Sequence, residues 1–217
     1  AGAGDKIIFF DNDTTWQAAY NNYMGGAWNT RMMKFDKKNI LWENSTGNAV
    51  YSLANGISGA WEYYDGTTTG VYPMNGILDI TVDSKNNKWF GGYYGLVKYN
   101  DTVFTGMDTA SHTLPFSPSV KVVTDKYDNV WVIGGTNKLG KYDGNSWHIF
   151  TTPFNANNTY KMIADSNGAI WCGLGAFGGG MYKFDGNVWT NYNSGNCAIS
   201  TNGIFVLAVD KNNNIWT

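Results

Sequence analysis

The chain has 217 residues, of which 43% are hydrophobic, 16% aromatic and only 15% charged, and its formal net charge is -2. This composition, with 27 glycines and 10 tryptophans, favours strands and tight turns over surface helices. The near-neutral charge and the lack of a basic run exclude the electrostatic footprint of a nucleic-acid-binding protein. No apolar stretch approaches the roughly 20 residues of a membrane span, so we expect neither a nucleic-acid partner nor a membrane span.

A motif of aspartate, five residues and tryptophan recurs along the chain. Its copies begin 47, 42, 40 and 45 residues apart, close to the roughly 40 to 45 residues of a four-stranded propeller blade. Alternating apolar runs precede four of the copies and predict strands with two unlike faces. We expect the aspartate to hydrogen-bond the backbone of the polar turn that follows it. The copies are Asp36–Trp42, Asp83–Trp89, Asp125–Trp131, Asp165–Trp171 and Asp210–Trp216, and the runs are 77–82, 120–124, 160–164 and 204–209.

A second motif, an aromatic residue followed by Asp-Gly and another aromatic residue, is typical of a tight hairpin. It is clear at Tyr142–Trp147 and Phe184–Trp189, and weaker versions occur at 64–66 and 99–101. One repeat therefore predicts an inner strand, a polar hairpin, a Trp strand, a Gly-rich turn, an aromatic strand, an Asp-Gly hairpin and an outer strand. Together these elements make a four-stranded antiparallel blade.

The two ends of the sequence carry complementary halves of one repeat. Residues 10–16 hold the second motif without the first, and residues 210–216 hold the first without the second. We therefore predict an all-β, five-bladed β-propeller in a single domain, with a ring closed by N- and C-terminal strands that share one blade. A chain cut from a longer array of blades is the alternative. The predicted blades are 28–72, 73–110, 116–152, 158–194, and 200–217 combined with 1–20.

The repeat resembles that of two-component-regulator-type propellers. Residues 190–216 carry this pattern of strand, Asp, Asn and Trp, with the Gly-Leu and aromatic-Asp-Gly steps present in other copies. The similarity extends to residues 77–105, 120–151 and 160–192. It implies an extracellular or periplasmic propeller of the kind found in sensory ectodomains and secreted proteins, often linked to glycan sensing or binding. Members of that family usually carry more blades per ring.

The start of the chain departs from the family pattern. The first blade has a longer stretch between Trp42 and Tyr64, which we interpret as an insertion in a hairpin. A shorter match, formed by Trp16–Ala19 and Gly25–Trp28, resembles five-bladed tachylectin-like lectins.

Candidate ligand-binding residues cluster where each inner strand begins and in the turns after the Trp strands. Neutral amide and hydroxyl groups recur there beside aromatic rings, a combination that suits sugars. We therefore predict noncatalytic recognition of a glycan or a small polar ligand. The alternatives are side chains that only cap turns and a scaffold that binds other proteins. The candidates are Trp28, Asn29, Asn75, Tyr93, Tyr94, Phe116, Asn158, Tyr160, Phe177 and Asn202.

Other chemistry has weaker support in the sequence. Asp79 and Glu43 are the acids that would face the channel of a glycosidase, but nothing in their spacing establishes a pair, so a glycoside-processing enzyme ranks third. The histidines and cysteines lack metal-ligand spacing, and we expect no metal and no cofactor. Cys172 and Cys197 are expected to be buried free thiols, with one disulfide as the alternative for an exported protein.

Overall fold

The computed structural model consists largely of antiparallel sheets. It describes residues 6–11, 15–20, 30–45, 49–54, 60–175 and 179–217. Four sheets have four strands each, hydrogen-bonded in chain order, and two further sheets have two strands each. The prediction of an all-β chain built from four-stranded antiparallel units is confirmed. No helix in these described segments is long and apolar enough to cross a bilayer.

The strands form four blades and two terminal hairpins. The N-terminal hairpin comprises β1 (Lys6–Asp11) and β2 (Thr15–Tyr20). Blade 1 comprises β3 (Thr30–Phe35), β4 (Leu41–Ser45), β5 (Val50–Leu53) and β6 (Trp61–Tyr64), and it is followed by a one-turn helix α1 (Gly66–Thr69). Blade 2 comprises β7 (Ile77–Val82), β8 (Lys88–Gly92), β9 (Gly95–Tyr99) and β10 (Phe104–Met107). Blade 3 comprises β11 (Pro118–Thr124), β12 (Val130–Gly134), β13 (Lys138–Tyr142) and β14 (Trp147–Thr151). Blade 4 comprises β15 (Thr159–Ala164), β16 (Ile170–Leu174), β17 (Met181–Phe184) and β18 (Trp189–Tyr192), and the C-terminal hairpin comprises β19 (Ala208–Val209) and β20 (Ile215–Trp216).

The first strands of successive units pack side by side and define a common axis. Contacts run from β3 to β7, from β7 to β11, from β11 to β15 and from β15 to β19. The tryptophan of each of the first four motifs shares a buried cluster with the inner strand of the next unit, so the hydrophobic core is divided among the interfaces between units. These pairs are Trp42 with Ile80, Trp89 with Val122, Trp131 with Met162, and Trp171 with Leu207.

The repeated aspartate forms hydrogen bonds with the hairpin and with the tryptophan of its motif. The sequence predicted the bonds to the hairpin but not the bond to the tryptophan. In blade 3 the Oδ1 atom of Asp125 accepts hydrogen bonds from the backbone N–H groups of Tyr127 and Asn129, at 2.9 and 3.0 Å. Its Oδ2 atom accepts from Nε1 of Trp131 at 2.8 Å. The same three bonds recur at Asp36, Asp83, Asp165 and Asp210. The most regular motif in the sequence is thus a structural clamp.

A second set of bonds joins the hairpins of neighbouring units. The third residue after each repeat aspartate has a positive φ, a conformation that Asn, Asp and Gly tolerate. Its side chain accepts from the backbone N–H of the residue after the preceding unit's aspartate. The bonds run from Lys37 to Asn86, from Ser84 to Asp128 and from Ser166 to Asn213, each at 2.7 Å. Between blades 3 and 4 this position is Gly168, which has no side chain to accept the bond from Lys126.

The outer hairpins use a similar aspartate at the surface. The Oδ1 atom of Asp143 accepts hydrogen bonds from the N–H groups of Asn145 and Ser146. The Oδ1 atom of Asp185 accepts from the equivalent N–H groups of Asn187 and Val188. The tryptophans of the outer strands bond carbonyl groups that lie earlier in the chain. Nε1 of Trp147 donates to the Thr113 carbonyl, and Nε1 of Trp189 donates to the Thr151 carbonyl. The second motif therefore also contributes to contact between successive units.

In blade 1 the second motif does not mark a hairpin. The third strand ends at Leu53, opposite Leu41, and the fourth strand ends at Tyr64. Asp65 instead begins helix α1 with a capping box, accepting from Thr67 and Thr68 N–H groups while its own N–H donates to Thr68. The interpretation of residues 64–66 as a weak hairpin motif was therefore wrong. The longer stretch between the Trp strand and Tyr64 displaces the motif to the end of the blade.

The interface between blades 1 and 2 contains a buried lysine at a position that is apolar in the other repeats. The ammonium group of Lys88 lies 3.5 Å from Oδ2 of Asp36, bonds Asp101, and lies over the rings of Trp42 and Tyr99. Burial by itself would raise the pKa of Asp101, but hydrogen bonds, that of Lys88 foremost, lower it to about 2. A buried cation is tolerated here because two carboxylates and two ring faces surround it.

The terminal hairpins form separate sheets. Phe10 opposes Trp16 in the N-terminal hairpin, the arrangement that Tyr142 has with Trp147 and Phe184 has with Trp189. This hairpin thus has the register of an outer strand pair. Within the described segments it does not share a sheet with the C-terminal hairpin, and closure of a five-bladed ring stays a prediction.

The two cysteines carry free thiols. Cys172 is buried in β16, and Cys197 is partly buried and donates to the carbonyl of Asn193 at 3.3 Å. Burial raises the pKa of the Cys172 thiol well above its usual range, so it packs as a small apolar side chain.

We predict that Asp125→Ala destabilises the protein far more than Asp185→Ala. Loss of Asp125 leaves two backbone amides and a buried indole N–H without their acceptor, which costs about 2–4 kcal/mol. Asp185 accepts two backbone hydrogen bonds and none from a tryptophan among the bonds described here, and both are exposed, so water can replace the carboxylate as acceptor. Chemical denaturation followed by tryptophan fluorescence measures the difference. Equal losses in the two variants would contradict the clamp.

We also predict that Gly168→Asn is more stable than Gly168→Ala by about 1 kcal/mol. Either residue has to adopt the positive φ of Gly168. Asparagine tolerates this conformation better than alanine, and its side chain supplies an acceptor for the Lys126 N–H. The melting temperatures and denaturant midpoints of the two variants test this. If alanine were as stable as asparagine, the bonds between hairpins would contribute nothing here.

Candidate functional site

The inner strands carry an irregularity at the same place in all four blades. The pairing register with the second strand shifts between Thr30 and Met32, Ile77 and Asp79, Pro118 and Lys121, and Thr159 and Lys161. A bulge of this kind adds a residue to one strand and turns side chains out of the regular alternation. It places residues such as Leu78 and Tyr160 at the mouth of the central axis rather than in an interface between blades.

A cavity of about 720 Å³ opens at this mouth. Inner strands from all four blades contribute to it, together with the turn after β8 and the segment before β19. Its position on the common axis, at the starts of the inner strands, is where the sequence places a ligand site. The lining residues are Met32, Leu78, Tyr93, Lys121, Asn157, Thr159, Tyr160, Lys161, Phe205 and Val206.

Two aromatic rings form a shelf on one side of the cavity. The ring centroids of Tyr160 and Phe205 are 4.9 Å apart with an interplanar angle of 80°, an edge-to-face contact that fixes both orientations. Both rings are about half exposed. The ring of Tyr160 lies against Gly175, where a Cβ atom would collide with it. The glycine-rich turn after β16 thus makes room for the shelf.

Polar groups lie beside this shelf. Thr159 is buried and lines the cavity, and its hydroxyl makes no hydrogen bond within the described residues. Asn157, in the short 3-10 turn Ala156–Asn158, contributes an exposed amide. The hydroxyl oxygen of Thr159 has almost no exposed surface, so the amide of Asn157 is the accessible one of these two polar groups.

Two lysines and a buried carboxylate occupy equivalent positions on three neighbouring inner strands. Lys121 and Lys161 line the cavity, and the ammonium group of Lys161 is 4.0 Å from Oδ1 of Asp79. The carboxylate also accepts from the backbone N–H groups of Val122 and Ile80, at 3.2 and 3.1 Å. Burial raises the pKa of Asp79, against the opposing influence of Lys161 and Lys121. The two lysines and the carboxylate are therefore electrostatically coupled.

Of the ten candidate residues, the structure brings Tyr93 and Tyr160 together at the cavity. Tyr94 is exposed but packs on Tyr72, with ring centroids 5.1 Å apart. Phe116 is buried in the cluster between blades 2 and 3. Trp28, Asn29 and Phe177 lie outside the described residues.

The three remaining amide candidates take part in turns. Oδ1 of Asn75 accepts from the Gly66 N–H, and Oδ1 of Asn202 accepts from the Ser194 N–H. Asn158 ends the 3-10 turn, and its carbonyl accepts from Gly175. The side chains of Asn75 and Asn202 thus bond backbone N–H groups, as in the alternative of turn-capping side chains, whereas the bond of Asn158 is made by its backbone. None of the three lines the cavity in the part of the chain described here.

Sequence reasoning missed most of the cavity. Phe205 and Val206 were assigned to a regular inner strand, but the strand forms only at Ala208–Val209 and both side chains are exposed. The lysines had a signal, since Lys121 and Lys161 both stand four residues before the repeat aspartate. Reading that position across the repeats would have found them. The bulges that turn Leu78 and Tyr160 into the cavity left no such signal.

No protein-family model and no curated protein matches the sequence. Solved structures do match the fold. The extracellular domain of a hybrid two-component system protein from B. thetaiotaomicron has a TM-score of 0.71 and 21% identity, covering 96% of this chain and 30% of that one. Virginiamycin B lyase from Staphylococcus aureus, in a catalytically inactive form with quinupristin, has a TM-score of 0.77 and 12% identity, covering 97% of this chain and 69% of that one. A surface component of the type IX secretion system of Porphyromonas gingivalis has a TM-score of 0.69 and 20% identity, covering 96% of this chain and 34% of that one.

These similarities identify the fold as that of a β-propeller. They confirm, for the fold, the resemblance of the repeat to the propellers of two-component regulators. The chain spans about a third of the two surface proteins and about two thirds of the lyase. At these identities, one fold serves a two-component system protein, an enzyme and a secretion component, so function has to be argued from the site.

Proposed function

We propose that this chain is a noncatalytic, ligand-binding β-propeller domain of an exported protein, and that it binds a carbohydrate at the mouth of its central axis. The observation that carries the proposal is the aromatic shelf of Tyr160 and Phe205 beside the exposed amide of Asn157. Sugar rings have apolar faces that pack on aromatic rings and hydroxyls that bond amides and hydroxyls. A cavity of about 720 Å³ accommodates a short oligosaccharide.

The distribution of acid-base groups supports binding rather than catalysis. His112 lies in the turn between β10 and β11, and His148 lies on the outer strand β14, where it contacts Asp143 at 3.1 Å. Glu43 lies on β4, opposite Met33 and Tyr51. These groups do not line the cavity in the described part of the chain.

Export is part of the proposal. The hybrid two-component domain is named as extracellular, and the type IX secretion protein is named as a bacterial surface component. The similarity of the repeat to two-component-regulator propellers points the same way. We therefore place this domain outside the cytoplasm, in the extracellular space or the periplasm.

A protein-interaction scaffold is the second candidate, and a specific surface favours it. Three tyrosines are exposed, Tyr72 before β7 and both Tyr93 and Tyr94 in the turn between β8 and β9, and Tyr72 packs on Tyr94. Exposed aromatic patches are common in protein interfaces. This patch adjoins the cavity through Tyr93. Substitution of Tyr160, in the cavity, and of Tyr94, in the patch, therefore distinguishes the two functions.

We predict that the purified chain binds oligosaccharides on a glycan array and that Tyr160→Ala weakens the binding about tenfold or more, because the shelf is lost. Gly175→Ala is expected to weaken it as well, since the added methyl group displaces the ring of Tyr160. Titration calorimetry with the array hits gives the affinities.

Tyr127→Ala is the matched control, because Tyr127 is an exposed tyrosine in the β11–β12 hairpin at the other end of the inner strand. Its binding should equal that of the unmodified chain. Binding that survives Tyr160→Ala would move the site elsewhere. A folded chain that binds no glycan would overturn the proposal in favour of the scaffold, whose contacts Tyr94→Ala should then weaken.

We further propose that residues 1–217 form one domain, closed as a five-bladed ring by pairing of β1 with β20. Two open faces are complementary. Trp216 is 62% exposed, whereas the four other motif tryptophans are at most 7% exposed, and Met33 is 52% exposed although its equivalents are at most 5% exposed. In a closed ring, Trp216 would pack on Met33, as each other motif tryptophan packs on the next inner strand.

This closure predicts a specific disulfide. In complete blades, Val130 opposes Tyr142 and Ile170 opposes Phe184, and the equivalent pair here is Ile215 and Phe10. A double Cys variant at these two positions, made with Cys197→Ser, should oxidise within one chain, because opposed residues lie about 5 Å apart at Cα.

Peptide mapping under non-reducing conditions identifies the bond. A variant that pairs Phe10→Cys with Lys126→Cys should form no such bond. If the Phe10 and Ile215 positions cross-link only between chains or not at all, the ring does not close, and the alternative of a longer blade array gains support.

A further inference from the structure

The cavity at the axis is lined mostly by apolar side chains. Of the ten lining residues in the described part of the chain, six carry aromatic or aliphatic side chains, and the aliphatic ones are Met32, Leu78 and Val206. The aromatic shelf of Tyr160 and Phe205 explains how a sugar ring would be held. It gives no role to the aliphatic side chains, which an ordinary sugar, with a hydroxyl on most of its carbons, would not match.

The aliphatic side chains occupy the same repeat positions as the residues of the shelf or the positions that follow them. Leu78, Tyr160 and Phe205 each stand five residues before the repeat aspartate, where the register of β7 and β15 shifts. Met32 and Val206 stand four residues before it. The aromatic and aliphatic groups therefore come from two consecutive positions, which the units of the propeller present around the mouth of the axis.

The segment before β19 presents two consecutive apolar side chains to the cavity. Val206 is 67% exposed and Phe205 is 50% exposed. The flanking residues Ile204 and Leu207 are buried in the cluster between blade 4 and the C-terminal hairpin, so the core anchors the segment on both sides of this pair. Exposed apolar surface in a concave site is typical of a ligand that has an apolar group of its own.

The charged side chains of the cavity have partners inside the protein. Lys161 forms an ion pair with Asp79 at 4.0 Å, and Lys121 interacts electrostatically with the same carboxylate. A ligand therefore does not need a charge in order to compensate them. The exposed amide of Asn157 remains as a partner for a sugar hydroxyl.

We propose that the ligand of this cavity is a neutral 6-deoxyhexose, whose ring packs on the aromatic shelf and whose methyl group packs against the aliphatic side chains of Met32, Leu78 and Val206. This inference rests on the proposed function and adds the class of sugar to it. An ordinary hexose has a hydroxymethyl group at this carbon, and aliphatic side chains would remove its hydroxyl from water without offering a hydrogen bond. A methyl group at the same carbon gains from the contact instead.

The test compares sugars that differ only at this carbon. Methyl α-L-fucopyranoside lacks one hydroxyl of methyl α-L-galactopyranoside, and methyl α-L-rhamnopyranoside lacks the same hydroxyl of methyl α-L-mannopyranoside. In at least one of the two pairs, the deoxy sugar should bind about tenfold more tightly in a titration followed by NMR. Magnetisation transferred from the protein to that sugar should be strongest at its methyl group, because this group packs on side-chain protons.

Nearly isosteric substitutions assign the preference to residues. Val206→Thr and Leu78→Asn each replace an aliphatic group by a polar group of similar size, which offers a partner to the hydroxyl of the competing sugar. Each should reduce the preference for the deoxy sugar about threefold or more. Val206 is exposed, so its substitution tests the contact without disturbing the core. Val188→Thr is the matched control, because Val188 is an exposed valine in the outer hairpin of blade 4, and it should keep the full preference.

The outcomes separate the two proposals. Equal binding within both pairs, tighter binding of the hydroxymethyl sugars, or binding of array glycans without binding of either deoxy sugar would overturn the class of sugar and leave carbohydrate binding intact. A preference that is unchanged in both Val206→Thr and Leu78→Asn, or that is lost in Val188→Thr as well, would overturn the contact with the aliphatic side chains. A folded chain that binds neither these sugars nor any array glycan would overturn the proposed function and this inference together.

Discussion

The repeated aspartate is the constraint on which the architecture depends. Each carboxylate fixes its hairpin through two backbone amides and fixes its tryptophan through the indole N–H. The tryptophan in turn fills the interface with the next inner strand, as Trp131 does with Met162. One side chain therefore couples the local turn to the packing between blades. Because this coupling repeats along the chain, stability is spread over similar interfaces, as in other repeat proteins.

The hydrogen bonds of the repeat aspartates also show that these residues have a structural role. The aspartates of the repeat have their oxygens engaged, so they are not free to act on a ligand, however acidic the motif looks in the sequence. The bulge at the start of each inner strand does the opposite. It releases a residue from the regular alternation, and in blade 4 that residue is Tyr160. The proposed binding site thus lies where the regular alternation of the repeat is interrupted.

The sequence predicted the blades because their determinants are local. A hairpin with an aspartate at its start and a tryptophan six positions later is encoded within a few residues, and so is the Asp-Gly hairpin of Phe184–Trp189. The prediction failed where a local motif took another context, as at Asp65, which caps a helix. It also could not distinguish a side chain that faces the axis from one that faces a neighbouring blade. Asn75 and Phe116 have suitable chemistry for a ligand, but a turn engages one and a core contains the other.

Departures from the repeat carry more information about function when the structure shows what surrounds them. Lys88 departs from an apolar position, but Asp36, Asp101 and two aromatic rings enclose its charge, so the departure is compensated inside the fold. Lys121 and Lys161 depart at a position that faces the axis, and they line an open cavity. Lys88 thus contributes to the packing between two blades, whereas Lys121 and Lys161 lie on the wall of the cavity.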